Sequence, residues 1–229
     1  MDDIEKLCQA VQRGDAVTCE ECLKLDPKLI HEFYDDGMQP LHFAAQSNRA
    51  ELIAFLLDRG AEIDALGGED SRTPLHYAAD MSPAAARILI DRGADLNPVD
   101  FRGFTPLCFA IAEQTRQGAE VAKMLRDAGA EYGLTEAAAM GDFERVQGIF
   151  ASDPNTLVQV PSKELLLNLL LNVGNYGTIP DRERILKFLF DHGLEYPKDY
   201  LLKTAKSWEV SNVGKLGKML RQQAKKARP

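Results

Sequence analysis

The heptapeptide Thr73-Pro74-Leu75-His76-Tyr77-Ala78-Ala79 recurs on both sides of itself, and this recurrence decides the fold. The upstream copy is Gln39-Pro40-Leu41-His42-Phe43-Ala44-Ala45, and the downstream copy is Thr105-Pro106-Leu107-Cys108-Phe109-Ala110-Ile111. The three prolines are 34 and 32 residues apart. A period of this length is typical of a repeat protein, in which each unit gains its core from its neighbours.

The residues of the heptapeptide are those that begin a helix. Thr73 occupies the N-cap, where its hydroxyl can accept a hydrogen bond from a free backbone N–H. Pro74 takes the first helical position, and His76 lies where its ring can bond back to the cap as the Glu of a capping box does. Four residues of the other copies hold the same positions: Pro40, His42, Thr105 and Pro106.

A second helix follows each heptapeptide and ends at a glycine. A residue without a Cβ is favoured in the left-handed position after a helix, and Gly60, Gly93 and Gly129 are each followed by alanine there. Before the first of these glycines lies an apolar stripe, and the next repeat places apolar residues at the same positions. The stripe consists of Leu52, Ile53, Leu56 and Leu57.

These paired helices, the T-P-L-H motif and the ending Gly93-Ala94-Asp95-Leu96-Asn97 resemble the ankyrin repeat, strongly over about residues 34–133. The resemblance implies an all-α fold, an ankyrin-repeat α-solenoid of paired antiparallel helices with short β-hairpin or loop fingers. It also implies about six to seven repeats, with capping repeats at both ends.

Weaker copies of the repeat flank this region. Ala10–Asp15 parallels Ala137–Asp142, and each is followed by an Asp-Pro pair. An apolar stripe before Gly193 indicates a further repeat. We therefore predict a single domain over 1–229, with repeats at 1–36 (N-terminal cap), 37–69, 70–102, 103–133, 134–160, 161–197 and 198–229 (C-terminal cap with a basic tail).

Two irregularities interrupt the period. The fourth repeat is longer than its neighbours, and its surplus is expected around Gln114–Gly118, between the paired helices. Only three residues separate Ala130 from Leu134, so the row of fingers is predicted to stop after the fourth repeat.

The charge is distributed unevenly. The net charge is −8, but residues from Lys198 onward carry +7 and the first 197 residues carry −15. An acidic body repels nucleic acid and suits a protein partner with a basic or mixed basic and apolar patch. The basic tail from Lys215 to Arg228 either docks on nucleic acid or an anionic membrane, or caps the last repeat. The cap is the favoured interpretation.

The resemblance also implies where a partner binds, because ankyrin proteins often use their finger tips and the exposed residues of their first helices. Phe101 and Phe104 flank a turn, where polar residues are usual, and aromatic residues near Arg102 can anchor a partner. Alternatively, Phe104 folds under its finger, which we favour, and Phe101 covers the next repeat, which is left open. The residues implicated are Asp35, Asp36, Met38, Gln46, Ser47, Glu69, Asp70, Arg72, Asp80, Met81, Phe101, Arg102, Phe104, Ala112 and Glu113.

The sequence lacks the motifs of common catalytic and metal sites: HExxH, GxSxG, a phosphate loop or a paired CxxC. Cys19 and Cys22 fit buried helical positions better than a redox or metal pair. Asn97 either is an acceptor for asparaginyl hydroxylation or braces its turn, which we favour. We therefore predict no enzyme, no cofactor and no metal, with a cryptic site in residues 134–229 as the alternative.

The acidic start, Met1-Asp2-Asp3-Ile4-Glu5, is unlike a secretory signal, and the apolar stretches are too short to span a bilayer. We therefore expect a monomeric cytoplasmic protein, with export by a system lacking a readable signal left open. The expected function is protein binding through repeats one to four, as an adaptor, scaffold or inhibitor.

Overall fold

The computed structural model describes residues 2–35, 37–112, 115–160, 166, 170, 181–199, 201–203 and 214–226. Within these residues the contacts divide the chain into two compact units. The first comprises the described residues up to Tyr132, and the second comprises the described residues from Gly133 onward.

The first unit is built from helix pairs, as predicted for ankyrin repeats. Helices α1, α3, α5 and α7 contact one another in sequence, and α4, α6 and α8 form a second row behind them. A short 3-10 helix, Pro27–His31, follows α2. The pairs are α1 (Asp3–Arg13) with α2 (Ala16–Leu25), α3 (Pro40–Gln46) with α4 (Ala50–Leu57), α5 (Pro74–Met81) with α6 (Pro83–Asp91), and α7 (Pro106–Ala112) with α8 (Arg116–Asp127).

The core of this unit lies between the two rows of helices. The heptapeptide leucines Leu41, Leu75 and Leu107 are each 0% exposed. They meet the buried stripe of the second helices, including Leu56 and Leu89. Burying a leucine contributes about 1.5–3 kcal/mol, and the partners here come from neighbouring repeats.

The glycines after the second helices adopt the conformation that the sequence predicted. Gly60 has a φ of 92°, in the left-handed region where a side chain is strained. The backbone N–H groups of Gly60 and Ala61 donate to the carbonyl oxygens of Leu57 and Leu56, at 3.0 and 3.1 Å. This is the hydrogen-bond pattern of a Schellman motif, and it recurs at Gly93, Gly129 and Gly193.

The extra residues of the fourth repeat lengthen a helix, so their predicted place between the helices was wrong. Helix α8 has 12 residues, against 8 in α4 and 9 in α6. Thr115 caps the added turn by accepting a hydrogen bond from the Gly118 N–H at 2.9 Å. Glycine permits this turn to pass over α7, because a Cβ at Gly118 would collide with the carbonyl of Ala110.

The second unit begins with helices and no finger. Residues 128–133, all described, form no β-bridge between α8 and α9, which agrees with the predicted end of the finger row. In this unit α9 contacts α10, and α12 contacts α10 and α13. Its helices are α9 (Leu134–Met140), α10 (Phe143–Ser152), α11 (Thr156–Gln159), α12 (Arg182–Asp191) and α13 (Gly214–Lys226).

The later repeats are described in part. Helix α12 is the predicted second helix of the sixth repeat, whereas the first, around 163–172, lies outside the described residues except Leu166 and Leu170. In the tail, α13 buries Leu220 and Ala224 and exposes Lys218 and Lys225, and its role as a cap stays a prediction. The repeat boundaries themselves stay predictions.

Candidate partner-binding surface

His42 bonds to the finger of the following repeat, which is the loop closed by the bridge between Gly67 and Arg72. Its Nδ1 accepts a hydrogen bond from the backbone N–H of Gln39 at 3.1 Å, which caps helix α3. Its Nε2 lies 2.9 Å from the carbonyl oxygen of Ala65 and 3.1 Å from that of Arg72. One buried ring therefore fixes the start of its own helix and both sides of the next finger.

His76 repeats this arrangement one unit later. Its Nδ1 accepts from the Thr73 N–H at 3.1 Å, and its Nε2 lies 2.9 Å from the carbonyl oxygen of Phe104. Burial lowers the pKa of both His42 and His76, so the neutral ring, with Nδ1 accepting and Nε2–H donating, is the stable form. The capping role predicted for these histidines is confirmed.

The threonine cap is found most plainly in the fourth repeat. The hydroxyl of Thr105 accepts a hydrogen bond from the backbone N–H of Cys108 at 3.3 Å. In the third repeat, the Thr73 hydroxyl oxygen lies 2.9 Å from Nδ1 of His76. The threonine there acts together with the imidazole in a capping box.

The fingers form a row joined by backbone hydrogen bonds. Tyr34 pairs with Met38 in one finger and Gly67 with Arg72 in the next. Between fingers, the Gly68 N–H donates to the Gly37 carbonyl at 3.1 Å, and the Phe101 N–H donates to the Asp70 carbonyl at 2.7 Å. Three successive finger tips are thus held side by side.

The glycine pair in the second finger is required by close packing. A Cβ on Gly67 would stand 2.7 Å from the ring of His42. Gly68 has a φ of 79°, and a Cβ there would collide with the hydroxyl of Tyr77. The absence of side chains lets the finger lie directly on the first helices.

Four charged residues connect the second and third of these finger tips. The Asp70 carboxylate lies 2.7 Å from Arg72 and 3.1 Å from Arg102. The same two arginines lie 3.5 and 3.7 Å from Oδ2 of Asp100. The Arg72 guanidinium also lies over the ring of Phe109, at 4.5 Å from its centroid.

Asp100 is the residue of this network that we did not predict. Its side chain is fully buried, and Oδ1 accepts from the N–H groups of Arg102 and Phe104 at 2.9 Å each. A signal was present in the sequence. Aspartate at the first position and glycine at the fourth, here Gly103, are favoured in a type I turn.

A depression of about 270 Å³ lies between the first two fingers and the first helices. Its walls combine carboxylates, a tyrosine ring and a methionine. Asp70 is already paired with Arg72 and Arg102. A cationic side chain would therefore meet the Glu69 carboxylate and the Tyr77 ring there. The residues that line it are Met38, Gln46, Gly68, Glu69, Asp70 and Tyr77.

The structure leaves most of the residues implicated by the sequence exposed or half-buried, with one correction. Met38 is 7% exposed, because its finger folds over the first helices, so its expected exposure was wrong. The exposed members are Asp35, Gln46, Glu69, Phe101 and Arg102, and the half-buried members are Ser47, Asp70, Arg72, Asp80, Phe104 and Ala112. Asp36, Glu113 and the side chain of Met81 lie outside the described residues.

The two phenylalanines of the third finger differ. Phe101 is 79% exposed, so it does not cover the next repeat. Phe104 packs on Phe109 with ring centroids 5.5 Å apart, and the Arg102 guanidinium lies 5.0 Å from its ring centroid. Phe104 therefore helps to hold the finger, and Phe101 presents its ring to solvent.

The Asn97 side chain bonds to a backbone group, as we favoured from the sequence, but that group belongs to the next repeat and not to its own turn. Its side-chain oxygen accepts a hydrogen bond from the backbone N–H of Glu131, in the next repeat, at 2.7 Å. Cys19 and Cys22 are 0% and 3% exposed, and burial raises the pKa of the Cys19 thiol to about 12. Both cysteines belong to the core.

The described part of the chain holds no cluster of metal ligands and no helix that could span a membrane. Among its side chains, histidine, cysteine and carboxylate groups do not gather in a set of three that could bind a metal ion. The helices within it are each too short or too polar to cross a bilayer.

Comparison with known proteins agrees with the repeat geometry. A family model for ankyrin repeats in three copies matches residues 7–100 and 66–136, together more than half of the chain. The protein belongs to the ankyrin-repeat family.

The chain is also similar to part of several larger proteins. It is 34% identical over 108 residues to palmitoyltransferase ZDHHC13 of Mus musculus, which covers 44% of this chain and 16% of that protein. It is 31% identical over 111 residues to palmitoyltransferase AKR1 of Lachancea kluyveri, covering 47% and 15%. With human diacylglycerol kinase iota it shares 33% identity over 103 residues, covering 44% and 10%. The chain thus spans less than a fifth of each of these relatives.

Proposed function

We propose that this protein is a non-enzymatic interaction module that binds another protein on the finger and first-helix surface of the first unit. The observation that carries the proposal is the depression beside the fingers. It places Glu69, Asp70 and Tyr77 around one opening, with the exposed ring of Phe101 on a neighbouring finger. Aromatic rings near charged groups are frequent anchors in protein interfaces.

The charge of the first unit suits a basic partner. Residues 1–132 contain 24 Asp or Glu and 13 Lys or Arg, a formal charge of −11. A field of this sign steers a partner with a basic or mixed basic and apolar patch, and repels nucleic acid.

The relatives support a role in binding rather than in one particular enzymatic reaction. Two are named as palmitoyltransferases and one as a diacylglycerol kinase, and the similarity covers between 10% and 16% of their lengths. Repeats shared by proteins with different activities serve a purpose common to them, and binding is such a purpose.

Affinity purification from the native cell, followed by mass spectrometry, tests the proposal. The double variant Glu69→Lys with Phe101→Ala should lose at least about tenfold of the specifically captured partner, because it reverses one charge and removes one anchor. Glu51→Lys with Leu25→Ala makes the same kinds of change at exposed positions of α4 and α2 and should capture the partner normally.

Two results would count against this function. One is a wild-type protein that captures nothing above an empty matrix. The other is equal capture by wild type and the finger variant.

A further inference from the structure

Three exposed apolar side chains occupy the same position in successive repeats. Phe33, Leu66 and Val99 are 58%, 57% and 57% exposed. Each is separated from the next by 33 residues, the length of one repeat. Each also immediately precedes its finger, since Tyr34 and Gly67 begin the two β-bridges and Asp100 begins the third turn.

Backbone contacts place these three positions side by side. Adjacent fingers are joined by the bonds from Gly68 to Gly37 and from Phe101 to Asp70. Beneath the fingers, the Asp95 N–H donates to the Asp64 carboxylate at 3.0 Å. Equivalent residues of stacked repeats therefore form a line, which we name the apolar row: Phe33, Leu66 and Val99.

Single exposed apolar residues are ordinary on protein surfaces, but an aligned set is not. The fold makes little use of the side chains of the apolar row, since more than half of each is exposed. Exposed Leu25 and Val17, both in α2, show the ordinary case, because they have no counterparts aligned with them in the next repeats. The alignment points to a partner that follows the stack.

The surroundings of the apolar row are acidic. The three connecting segments 26–39, 60–73 and 93–106 contain ten Asp or Glu and three Lys or Arg. Two of those cations, Arg72 and Arg102, are already paired with Asp70 and Asp100. Apolar contacts surrounded by net negative charge complement a segment in which apolar residues alternate with lysine or arginine.

The spacing of the repeats limits the conformation of such a segment. Packed helices lie about 8–10 Å apart, so neighbouring members of the apolar row are separated by about that distance. A polyproline II chain has three residues per turn and rises about 3.1 Å per residue, so every third residue faces the same side at about 9 Å intervals. An extended chain of this kind matches one apolar residue to each repeat.

We propose that the apolar row anchors an extended segment of a partner protein, with an apolar residue at every third position and basic residues between. The inference rests on the proposed function, and it names the chemistry of the partner. Phe33, Leu66 and Val99 each contact one apolar side chain of the segment, and the acidic fingers hold its cations.

Fluorescence anisotropy with labelled peptides tests this. The probe is a peptide of about 15 residues with the repeating unit Leu-Lys-Ser. One control has the same composition with its leucines consecutive, and another replaces lysine by glutamate. The periodic basic peptide should bind saturably and at least about tenfold more tightly than either control.

Two protein variants complete the test. Phe33→Ser, Leu66→Ser and Val99→Ser together should weaken binding of the periodic peptide at least about tenfold. Val17→Ser with Leu25→Ser should leave it within about twofold, and circular dichroism should show unchanged helix content for both variants. A block peptide that binds equally, an unaffected row variant, or an equal loss in the α2 control each overturns the inference, as does a periodic peptide that does not bind.

The outcome of the test of the apolar row can be distinguished from the outcome of the test of the proposed function. If the native partner is lost by the Glu69→Lys, Phe101→Ala protein but retained by the row variant, the protein is an interaction module and the apolar row is not its anchor. If the wild-type protein captures no partner, the interaction function itself fails, whatever the peptides do.

Discussion

The two units of the molecule begin alike and then differ. In each, the first helix ends at a left-handed glycine, Gly14 with a φ of 81° and Gly141 with a φ of 77°. The aspartate that follows each glycine donates its N–H to the carbonyl of Ala10 or Ala137, at 2.9 Å in both cases. The same aspartates then cap the second helix of the pair.

After this common start, the first unit has fingers, whereas the described residues 128–133, which lead into α9, form none. The buried histidines that bond to the fingers lie in helices α3 and α5. Residues 1–132 carry a charge of −11, whereas residues 133–229 carry +3. The comparison teaches that a helix pair of this kind can form without a finger. The second and third fingers are each bonded to a buried histidine ring, and the connecting segments that carry the fingers have a net negative charge.

Replacing the buried His42 should give the largest effect on stability. His42→Ala leaves the Gln39 N–H and the Ala65 carbonyl, both in the interior, without the partners that the ring provides. At about 1–3 kcal/mol for each unsatisfied group, the free energy of unfolding should fall by about 3 kcal/mol. Urea denaturation followed by circular dichroism measures this.

The matched control is a histidine of the second unit. His192 is exposed and stacks on Phe188 with centroids 3.9 Å apart. His192→Ala should therefore cost less than about 1 kcal/mol. If both histidines cost the same, the claim that the fingers depend on a buried imidazole is wrong.

Much of the fold could be predicted because the repeat residues act locally. Caps and left-handed glycines depend on a few neighbouring residues, so Pro74, His76 and Gly93 could be assigned from sequence alone. The second partner of each histidine ring could not, because Ala65 and Phe104 are 23 and 28 residues away from His42 and His76. Their role depends on how the repeats stack.

The candidate surface was predicted less well for the same reason. The general position of the fingers follows from the family resemblance, and most implicated residues are at least partly exposed. The burial of Met38 and of Asp100 could not be predicted from the sequence, because it depends on how one finger packs on the next. The exposure of Phe33, Leu66 and Val99 was missed because each looks ordinary until its equivalents are aligned.

A glycine in each unit should respond to alanine with opposite sign. Gly67→Ala puts a methyl group against the His42 ring and should destabilise the protein by about 1–3 kcal/mol. A Cβ at Gly148, in helix α10, meets nothing within 4 Å. Gly148→Ala should stabilise by about 0.5–1 kcal/mol, because alanine favours the helix. Urea midpoints that move in the same direction would contradict this difference.

Acidification should weaken the finger-bearing unit through its two histidines. Burial lowers the pKa of His42 and His76 below the 6.5 of a free histidine, so the unfolded chain binds protons first as the pH falls. Stability is therefore complete above about pH 7 and declines below 6.5. Each histidine contributes a loss of at most about 0.8 kcal/mol between pH 7.5 and pH 6.

Substituting one of the two histidines shows whether it causes this loss of stability at lower pH. His76→Gln should reduce the pH dependence of the unfolding free energy between pH 7.5 and 6, whatever it does to stability at pH 7.5. A wild-type protein with the same stability at both pH values would show that the buried rings do not resist protonation.

The smallest effect should come from surface ion pairs, and it should be the same in both units. Asp58 and Arg92, which directly follow helices α4 and α6 of the first unit, lie 2.8 Å apart, and their side chains are 62% and 41% exposed. Asp181 and Arg184 lie 2.9 Å apart in the second unit, with exposures of 41% and 62%. Water competes for such charges, and double-mutant cycles should give coupling energies below about 0.5 kcal/mol for each pair. A coupling above about 1 kcal/mol for the first pair alone would mean that surface charge, and not only the buried histidines, stabilises the finger-bearing unit.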